Sequence, residues 1–438
     1  MIDAYAMMER LFPICRSLTG DGNRETLSIL KEAVVGMAVH EIPSGTQVCD
    51  WVVPDEWNAR SAWIEDEDGR RIVDFADSNL HLVGYSESVD RWMDLDELQE
   101  HLYSIEEHPD WIPYVTSYYK RRWGFCLADG VRRNLRNGRY HVFVDSDLTP
   151  GSMTYADAVL EGESDVEVMF TTYICHPSMA NNELSGPCVA AALYDWLRGL
   201  PRRRFTYRFV FAPETLGSVA YIDRHLEHLK ARVVAGFNLT CVGDDKAWHY
   251  MPSRQGNTLA DRAALNILNS MHPDFVRCSF LSRGSDERQY CAPGVDLPYC
   301  SVMRSMYGRY PEYHTSADDL SFVSREGLGG SIEFYQELVK ALEANMTYRI
   351  AVLGEPQLGR RGLYPTISYA GSASDLSTTV MNDVIAYADG TLDLFGISDA
   401  INAPMKAVIP VAARLAEAGL LKDVSRKSSS TDAERKDA

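Results

Sequence analysis

Residues 167–200 read EVMFTTYICHPSMANNELSGPCVAAALYDWLRGL. An apolar, β-branched run stops at His176. A polar loop with Asn181, Asn182 and Glu183 follows, and from Ser185 onward apolar residues recur at helical spacing. Strand, polar loop and helix in that order form the repeating unit of an α/β sheet. The unit recurs downstream. FTYRFVFAP (205–213), VVAGFNLTCVG (233–243) and LPYCSVMRS (297–305) read as strands. TLGSVAYIDRHLEHLKA (215–231), GNTLADRAALNILNSM (256–271) and EGLGGSIEFYQELVKALEAN (326–345) read as helices. The expected fold class is α/β, with a mostly parallel central sheet and helices on both faces. The polar motifs fall just after the strands, at the carboxyl edge where open α/β sheets place ligands.

The flanking sequence has other textures. Residues up to about 46 read as helical. From 47 to 151 the chain is rich in Trp, Tyr and Val. There SAWIEDEDGRRIVDFA (61–76) alternates about Asp-Gly, a hairpin signal, and GRYHVFVDSDL (138–148) reads as a further strand. Near the C-terminus, MNDVIAYADG (381–390), TLDLFGISDAINA (391–403) and PMKAVIPVAARLAEAGLL (404–421) read as three short helices of a winged helix-turn-helix. The expected organisation is an α/β domain over 1–46 and 152–350 and a β-rich inserted domain over 47–151. A linker with a winged-helix-like domain covers 351–424, and a polar, disordered tail covers 425–438.

The 438 residues carry 62 acids against 43 Lys and Arg, a net charge of −19. That balance argues against nucleic-acid binding, which neutralises phosphates with cations. The terminal domain follows the trend: Asp383, Asp389, Asp393, Asp399 and Glu417 outnumber Lys406 and Arg414. Its apolar third helix suits packing or dimerisation, so a homo-oligomer is an open expectation and a DNA-binding regulator the weaker reading. No run of eighteen apolar residues exists, so no membrane partner is expected. Nine scattered cysteines without a CxxC pair, and no evident secretion signal, read as reduced thiols in a cytoplasmic protein.

Four loops concentrate chemistry. The first holds His176, Asn182 and Glu183. The second is APETLG, with Glu214. The third is LSRGSDERQY, with Arg283, Asp286 and Arg288. The fourth is YPEYHTSADDL, with Tyr313 and His314. Each alone has an ordinary structural role, such as a hydrogen-bonded histidine or a helix cap. Together they place two histidines and several acids at strand-to-loop junctions of one α/β region. A catalytic zinc needs three protein ligands and an open position, with a carboxylate nearby to take a proton from water.

From about residue 154 to 347 the sequence resembles the co-catalytic di-zinc aminopeptidases, a group that includes glutaminyl cyclases. YICHPSMANNELSG looks like their first histidine loop, APETLG their Glu-Glu loop, FNLTCVG their N-x-D strand end, and YPEYHTSADDL their closing histidine loop. The whole chain resembles a bacterial aminopeptidase-like family, sometimes linked to polysaccharide biosynthesis, with a β-rich insert and a C-terminal winged helix. LFPICRSLTGDG, HPSMANNELSGP, RGSDERQY and EPQLGRRGLYPT carry that likeness.

The resemblance implies that His176 and His314 match the ligand histidines and Glu214 the general base. It also puts Asn182 at the bridging Asp, Thr215 at the second Glu and Thr240 at the third carboxylate. Two Zn²⁺ ions need anions between them, so two zincs are not expected. One zinc is, held by His176, Glu183 and His314. Asn182 and Asp286 are further candidates for the metal or its surroundings, and Arg283, Arg304 and Tyr313 for binding substrate. The expected activity is hydrolysis of a peptide or small amide. A non-catalytic binding protein on the same scaffold and a glutaminyl-cyclase-like transfer stay open.

Overall fold

The computed structural model describes residues 2–363 and 373–425. The tail beyond 425 and part of the expected linker, 364–372, lie outside the described residues. The chain divides into two compact units, 1–261 with 275–333 and 262–274 with 334–438.

The first unit is built on an eight-stranded sheet. Its centre is parallel, as expected: Thr206–Ala212, Glu167–Tyr173, Val233–Asn238 and Tyr299–Met303 lie side by side in that order. Every residue of Glu167–Tyr173 is buried, which is why this strand reads as a continuous apolar run rather than an alternation. His249–Met251 pairs antiparallel beyond Tyr299–Met303, and Ser152–Leu160 pairs antiparallel with Thr206–Ala212. The helices Ser185–Arg198, Leu216–Arg232 and Arg325–Ala344 follow the sheet strands as their apolar spacing predicts.

The expectation of helix up to residue 46 needs correction. Helices Ala4–Leu11 and Asp21–Ala33 form, but Ala38–Pro43 is a strand paired antiparallel with Ser152–Leu160. The chain therefore leaves for the insert and returns from it on two hydrogen-bonded neighbours. Between them lies a four-stranded antiparallel sheet, in the order Arg71–Asp74, Glu56–Asp66, Arg139–Thr149 and Val89–Asp94. The Asp-Gly hairpin is its first pair. A long connection from 102 to 127 then runs back to the α/β sheet. There Pro113 bridges Thr315, and the Tyr114 N–H donates to the His314 carbonyl at 2.9 Å.

The second unit contains helices Ala373–Tyr387, Leu394–Ala400 and Met405–Glu417. A three-stranded sheet accompanies them, with Thr347–Ile350 between Asp389–Asp393 and Leu421–Asp423. Asp389-Gly390 opens a strand there instead of forming a free turn.

Gly186 explains why the first loop ends in Ser-Gly. A Cβ there would lie 2.2 Å from the Leu239 carbonyl oxygen and 2.3 Å from Thr172 Oγ1. The helix Ser185–Arg198 can approach the sheet this closely only with glycine. Gly186→Ala is expected to destabilise the chain by at least about 3 kcal/mol, because the obstruction is backbone rather than a flexible side chain. Thermal and urea unfolding followed by circular dichroism will measure it.

Candidate active site

The first loop turns into its helix through a wide turn at Ala180–Leu184, closed by a bond from the Leu184 N–H to the Met179 carbonyl. Such i→i+5 turns gather at functional sites. This one carries Asn181, Asn182 and Glu183 inward, and all three are buried. Four non-glycine residues with positive φ mark the loop ends: Ser178, Thr215, Cys241 and His314. Thr215, β-branched at φ 64°, is the most strained of them, and strain of this kind is retained where surrounding structure imposes it.

His176 sits between two carboxylates. Its Nδ1 bonds Glu183 Oε2 at 2.8 Å, and its Nε2 faces Glu214 Oε2 at 3.8 Å. When Glu183 is ionised it accepts the Nδ1 proton, and Nε2 then presents a lone pair to the cavity. Behind Glu183 lies Arg16, 3.6 Å from Oε1, with both side chains fully buried. Arg16 also donates to the His176 carbonyl at 2.9 Å and the Leu11 carbonyl at 2.7 Å. Burial lifts Glu183 to about 8, while the Arg16 charge pulls it back down. Burial, reinforced by Arg16, holds His176 neutral, with its pKa near 3.

Glu183 is therefore held on the Nδ1 side of the His176 ring, and no ligand atom of His314 comes within 4.8 Å of both to complete a His-Glu-His set. Among the described residues, the candidate metal-ligand trio that comes within 4.8 Å of one another is Cys175, His176 and Glu183. Their shared space is taken by the Nδ1–Glu183 bond and backed by the Arg16 cation. Cys175 Sγ there accepts the Glu214 N–H at 3.2 Å.

His314 lies across the cavity, its ring centroid 5.2 Å from that of His176. Its Nε2 contacts Asn182 Oδ1 at 3.0 Å, and because Oδ1 only accepts, Nε2 carries the proton. Asn182 Nδ2 donates to the Tyr173 hydroxyl at 2.7 Å, which meets Thr240 Oγ1 at 2.5 Å; Thr240 in turn donates to the Asn182 carbonyl at 3.2 Å. Two of the three positions expected to have lost carboxylates, Asn182 and Thr240, thus join one closed neutral network, while Thr215 lies outside it and accepts from Arg288. Burial and the neighbouring His176 bring His314 down to about 3. Tyr313 stacks on the His314 ring at 3.8 Å, which fixes the imidazole from behind.

Glu214 Oε1 accepts the Ser285 hydroxyl at 2.9 Å, leaving Oε2 toward His176. Burial, with Asp286 adding repulsion, raises Glu214 to about 8. Asp286 touches neither histidine; it takes the Thr215 N–H at 2.7 Å and so anchors the Glu214 loop. Two expected substrate residues lie elsewhere. Arg283 is exposed over the Phe280 ring, and Arg304 packs 4.4 Å from the Trp248 ring centroid. The cation that does line the cavity is Arg288. The cavity, about 360 Å³, is also lined by His176, His314, Glu214, Tyr114, Tyr118 and Trp51.

Residues 5–345 match the family described as "Domain of unknown function (DUF4910)". The chain belongs to this family. Residues 346–423 match a winged helix-turn-helix family. A Clostridium acetobutylicum protein is 40% identical over 397 residues, 90% of each chain; its name proposes polysaccharide biosynthesis and an aminopeptidase-like domain. A crystal structure from the same organism, solved as a proposed peptidase, superposes with a TM-score of 0.91 at 38% identity over 96% of each chain. The zinc aminopeptidase of Bacillus subtilis shares the fold at 12% identity and TM-score 0.57, over 78% of this chain and 94% of that one. Family membership, the α/β fold and the winged helix are therefore as the sequence leads one to expect.

Sequence reading passed over Arg16, Tyr114 and Tyr118. Arg16 had a signal: it is the one cation between Leu11 and Leu18 in an otherwise apolar and small-residue stretch. Arg16→Met is expected to cost about 3–5 kcal/mol, because it leaves Glu183 buried without its cation. Arg16→Met/Glu183→Gln should recover a large part of that loss. Urea denaturation of both singles and the double closes the cycle; strictly additive losses would show that the pair is not coupled.

Proposed function

We propose that the chain hydrolyses an amide bond at this cavity, as an aminopeptidase-like hydrolase assisted by a single zinc ion. The observation that carries the reading is His176 clamped by Glu183 on Nδ1, with Nε2 presented 3.8 Å from Glu214. An imidazole whose outer N–H is fixed by a carboxylate is the usual form of a metal-ligating histidine.

Two ions do not fit, because Asn182, Thr215 and Thr240 offer no anion to hold them together. A single ion is what the donor set supports: two imidazoles line the cavity, and Asn182 Oδ1 lies 3.0 Å from His314 Nε2. His176 Nε2, His314 Nε2 and Asn182 Oδ1 would hold the ion, His314 exchanging its present hydrogen bond for it. Zinc supplies, when bound, polarisation of a carbonyl and a more acidic water. Glu214, once ionised, would accept a proton from the attacking water and deliver it to the leaving nitrogen. Ser285 holds the carboxylate in that attitude, and the Tyr114 and Tyr118 rings limit access of bulk water.

A second reading has its own support. His314 and Asn182 already satisfy each other in a neutral network, as a non-catalytic binding site would. For the winged-helix unit we propose packing or dimerisation rather than nucleic-acid binding, because its third helix exposes only Lys406 and Arg414 as cations, next to Glu417. Nine unpaired cysteines support a reducing, cytoplasmic setting. Among the described residues no helix is long and apolar enough to cross a membrane.

The purified chain is expected to bind one equivalent of zinc, and His176→Ala to lose it. Glu214→Gln should keep the metal while kcat falls by about 10²-fold or more. Asn182→Asp should raise zinc affinity about tenfold, because it returns one anion to the donor set. Metal analysis after competition with a chelator, together with hydrolysis of a panel of amino-acid and N-acyl amides, reads these outcomes. No zinc uptake, and no difference in hydrolysis between the zinc-treated chain and Glu214→Gln, would leave the binding protein standing in its place.

A further inference from the structure

We propose that the cavity takes a small N-acyl compound bearing a carboxylate, and rejects the free amine terminus of a peptide. This rests on the hydrolase reading above and specifies its substrate.

An enzyme that reads a peptide's free terminus must neutralise an ammonium group. Among the residues lining the cavity the only acid is Glu214. Asp286 is almost fully buried, and one of its oxygens accepts the Thr215 N–H. Glu183 is fully buried behind His176. A cation faces Glu214 instead. Arg288 Nη2 donates to Thr215 Oγ1 at 2.6 Å, and its buried Nε has no hydrogen-bond partner. Among the described residues Arg288 makes no ion pair within 4 Å. Its charge acts on Glu214 and Asp286 from beyond ion-pair distance and is closed by neither, and its planar fork suits a carboxylate presented edge-on. An ammonium group beside it would be repelled.

The walls limit the rest of the ligand. Tyr114 and Tyr118, joined hydroxyl to hydroxyl at 3.1 Å, form one side, and the half-exposed Trp51 and Tyr119 stand toward solvent. All four come from the insert. The loop carrying them is tied to the His314 loop through the Pro113–Thr315 bridge and the bond from the Ser316 N–H to the Ile112 carbonyl. A cavity of about 360 Å³ lies at the small end for ligand sites. It suits one ring-bearing molecule between aromatic faces. Both an N-acyl amino acid and an N-acylated sugar acid offer this chemistry: a ring or side chain to stack, an amide, and a carboxylate.

The reaction balances with water alone. Water adds its oxygen to the acyl carbon and the C–N bond breaks. The acid leaves as a carboxylate, and both hydrogens of the water end on the nitrogen as an ammonium group.

The test uses the full zinc-treated chain and four probes: N-acetylphenylalanine, its amide, phenylalaninamide and N-acetylneuraminic acid. Binding is measured by calorimetry on Glu214→Gln, and turnover on the unmodified chain. At least one of the two N-acetyl acids should bind about tenfold or more tighter than both phenylalanine amides, and the one preferred assigns the anion to an amino acid or a sugar acid. Arg288→Gln in the same background should erase that preference, and Arg288→Lys should keep part of it. Equal or tighter binding of phenylalaninamide, a preference unchanged in both Arg288 variants, or no binding of either acid at millimolar concentration overturns the proposal. The two readings fail separately. Arg288-dependent anion binding without turnover removes the hydrolase and leaves this specificity. Turnover of phenylalaninamide without anion preference does the reverse.

Discussion

Arg16 enters the interior from the turn after the first helix and meets Glu183 at 3.6 Å, with neither side chain exposed. Removing two charges from water is costly, and it is tolerated only where hydrogen bonds take up the remaining donors and acceptors. Here Arg16 Nε and Nη1 go to the carbonyls of His176 and Leu11 and Glu183 Oε2 goes to the His176 ring, while Arg16 Nη2 and Glu183 Oε1 have only each other's charge and no hydrogen-bond partner. One buried cation thus fixes the backbone at His176, the carboxylate behind it and, through that carboxylate, the tautomer of the imidazole. The N-terminal helices are part of the site for this reason.

The second constraint is the frame around the cavity. The strands Ala38–Pro43 and Ser152–Leu160 lie side by side, so an insert of about a hundred residues leaves the α/β sheet intact. The insert then returns to the site from above. Its backbone pairs with the His314 loop, and its tyrosine ring at 114 meets both histidines at about 5 Å. Strained residues at the ends of several loops show that these positions are imposed by packing rather than chosen locally.

Much of the fold was legible because it follows from period and length. The four central strands are short apolar runs closed by polar loops, and the helices between them carry their apolar stripe openly. The strand Ala38–Pro43 was not legible. AVHEIP has one buried position, Ile42, and is a strand only because a partner more than a hundred residues away pairs with it. The site was legible in its residue types and partly misread in its directions. His176, Glu214 and His314 line one cavity. Glu183 lies one residue from the bridging position, and spacing alone cannot tell on which side of an imidazole a carboxylate will sit; the wide turn at Ala180–Leu184 decides that. Arg283 and Arg288 are five residues apart in one loop, yet only the second faces the cavity, because the helical turn Glu287–Tyr290 carries it there.

The neutral residues at 182 and 240 are better understood together than as separate losses. Beneath Asn182 lies the buried Asp318, whose two oxygens accept the Asn181 and Asn182 N–H groups at 2.6 and 2.9 Å. Burial already holds Asp318 up to about 6. A carboxylate at 182, with Asp318 below and Glu183 beside it, would make three acids in one dry space, and only a bound cation would compensate for them. An amide avoids that repulsion. Its Nδ2 satisfies Tyr173, Tyr173 satisfies Thr240, and Thr240 returns to the Asn182 carbonyl. Each neutral group is the partner that the next one requires, so reverting one alone leaves its neighbour with a broken bond. Two arginines carry the positive charge near the histidine, Arg16 behind it and Arg288 at the cavity wall. A site arranged in this way can stay folded without a pair of ions, and its lining sets one cation, Arg288, beside one acid, Glu214.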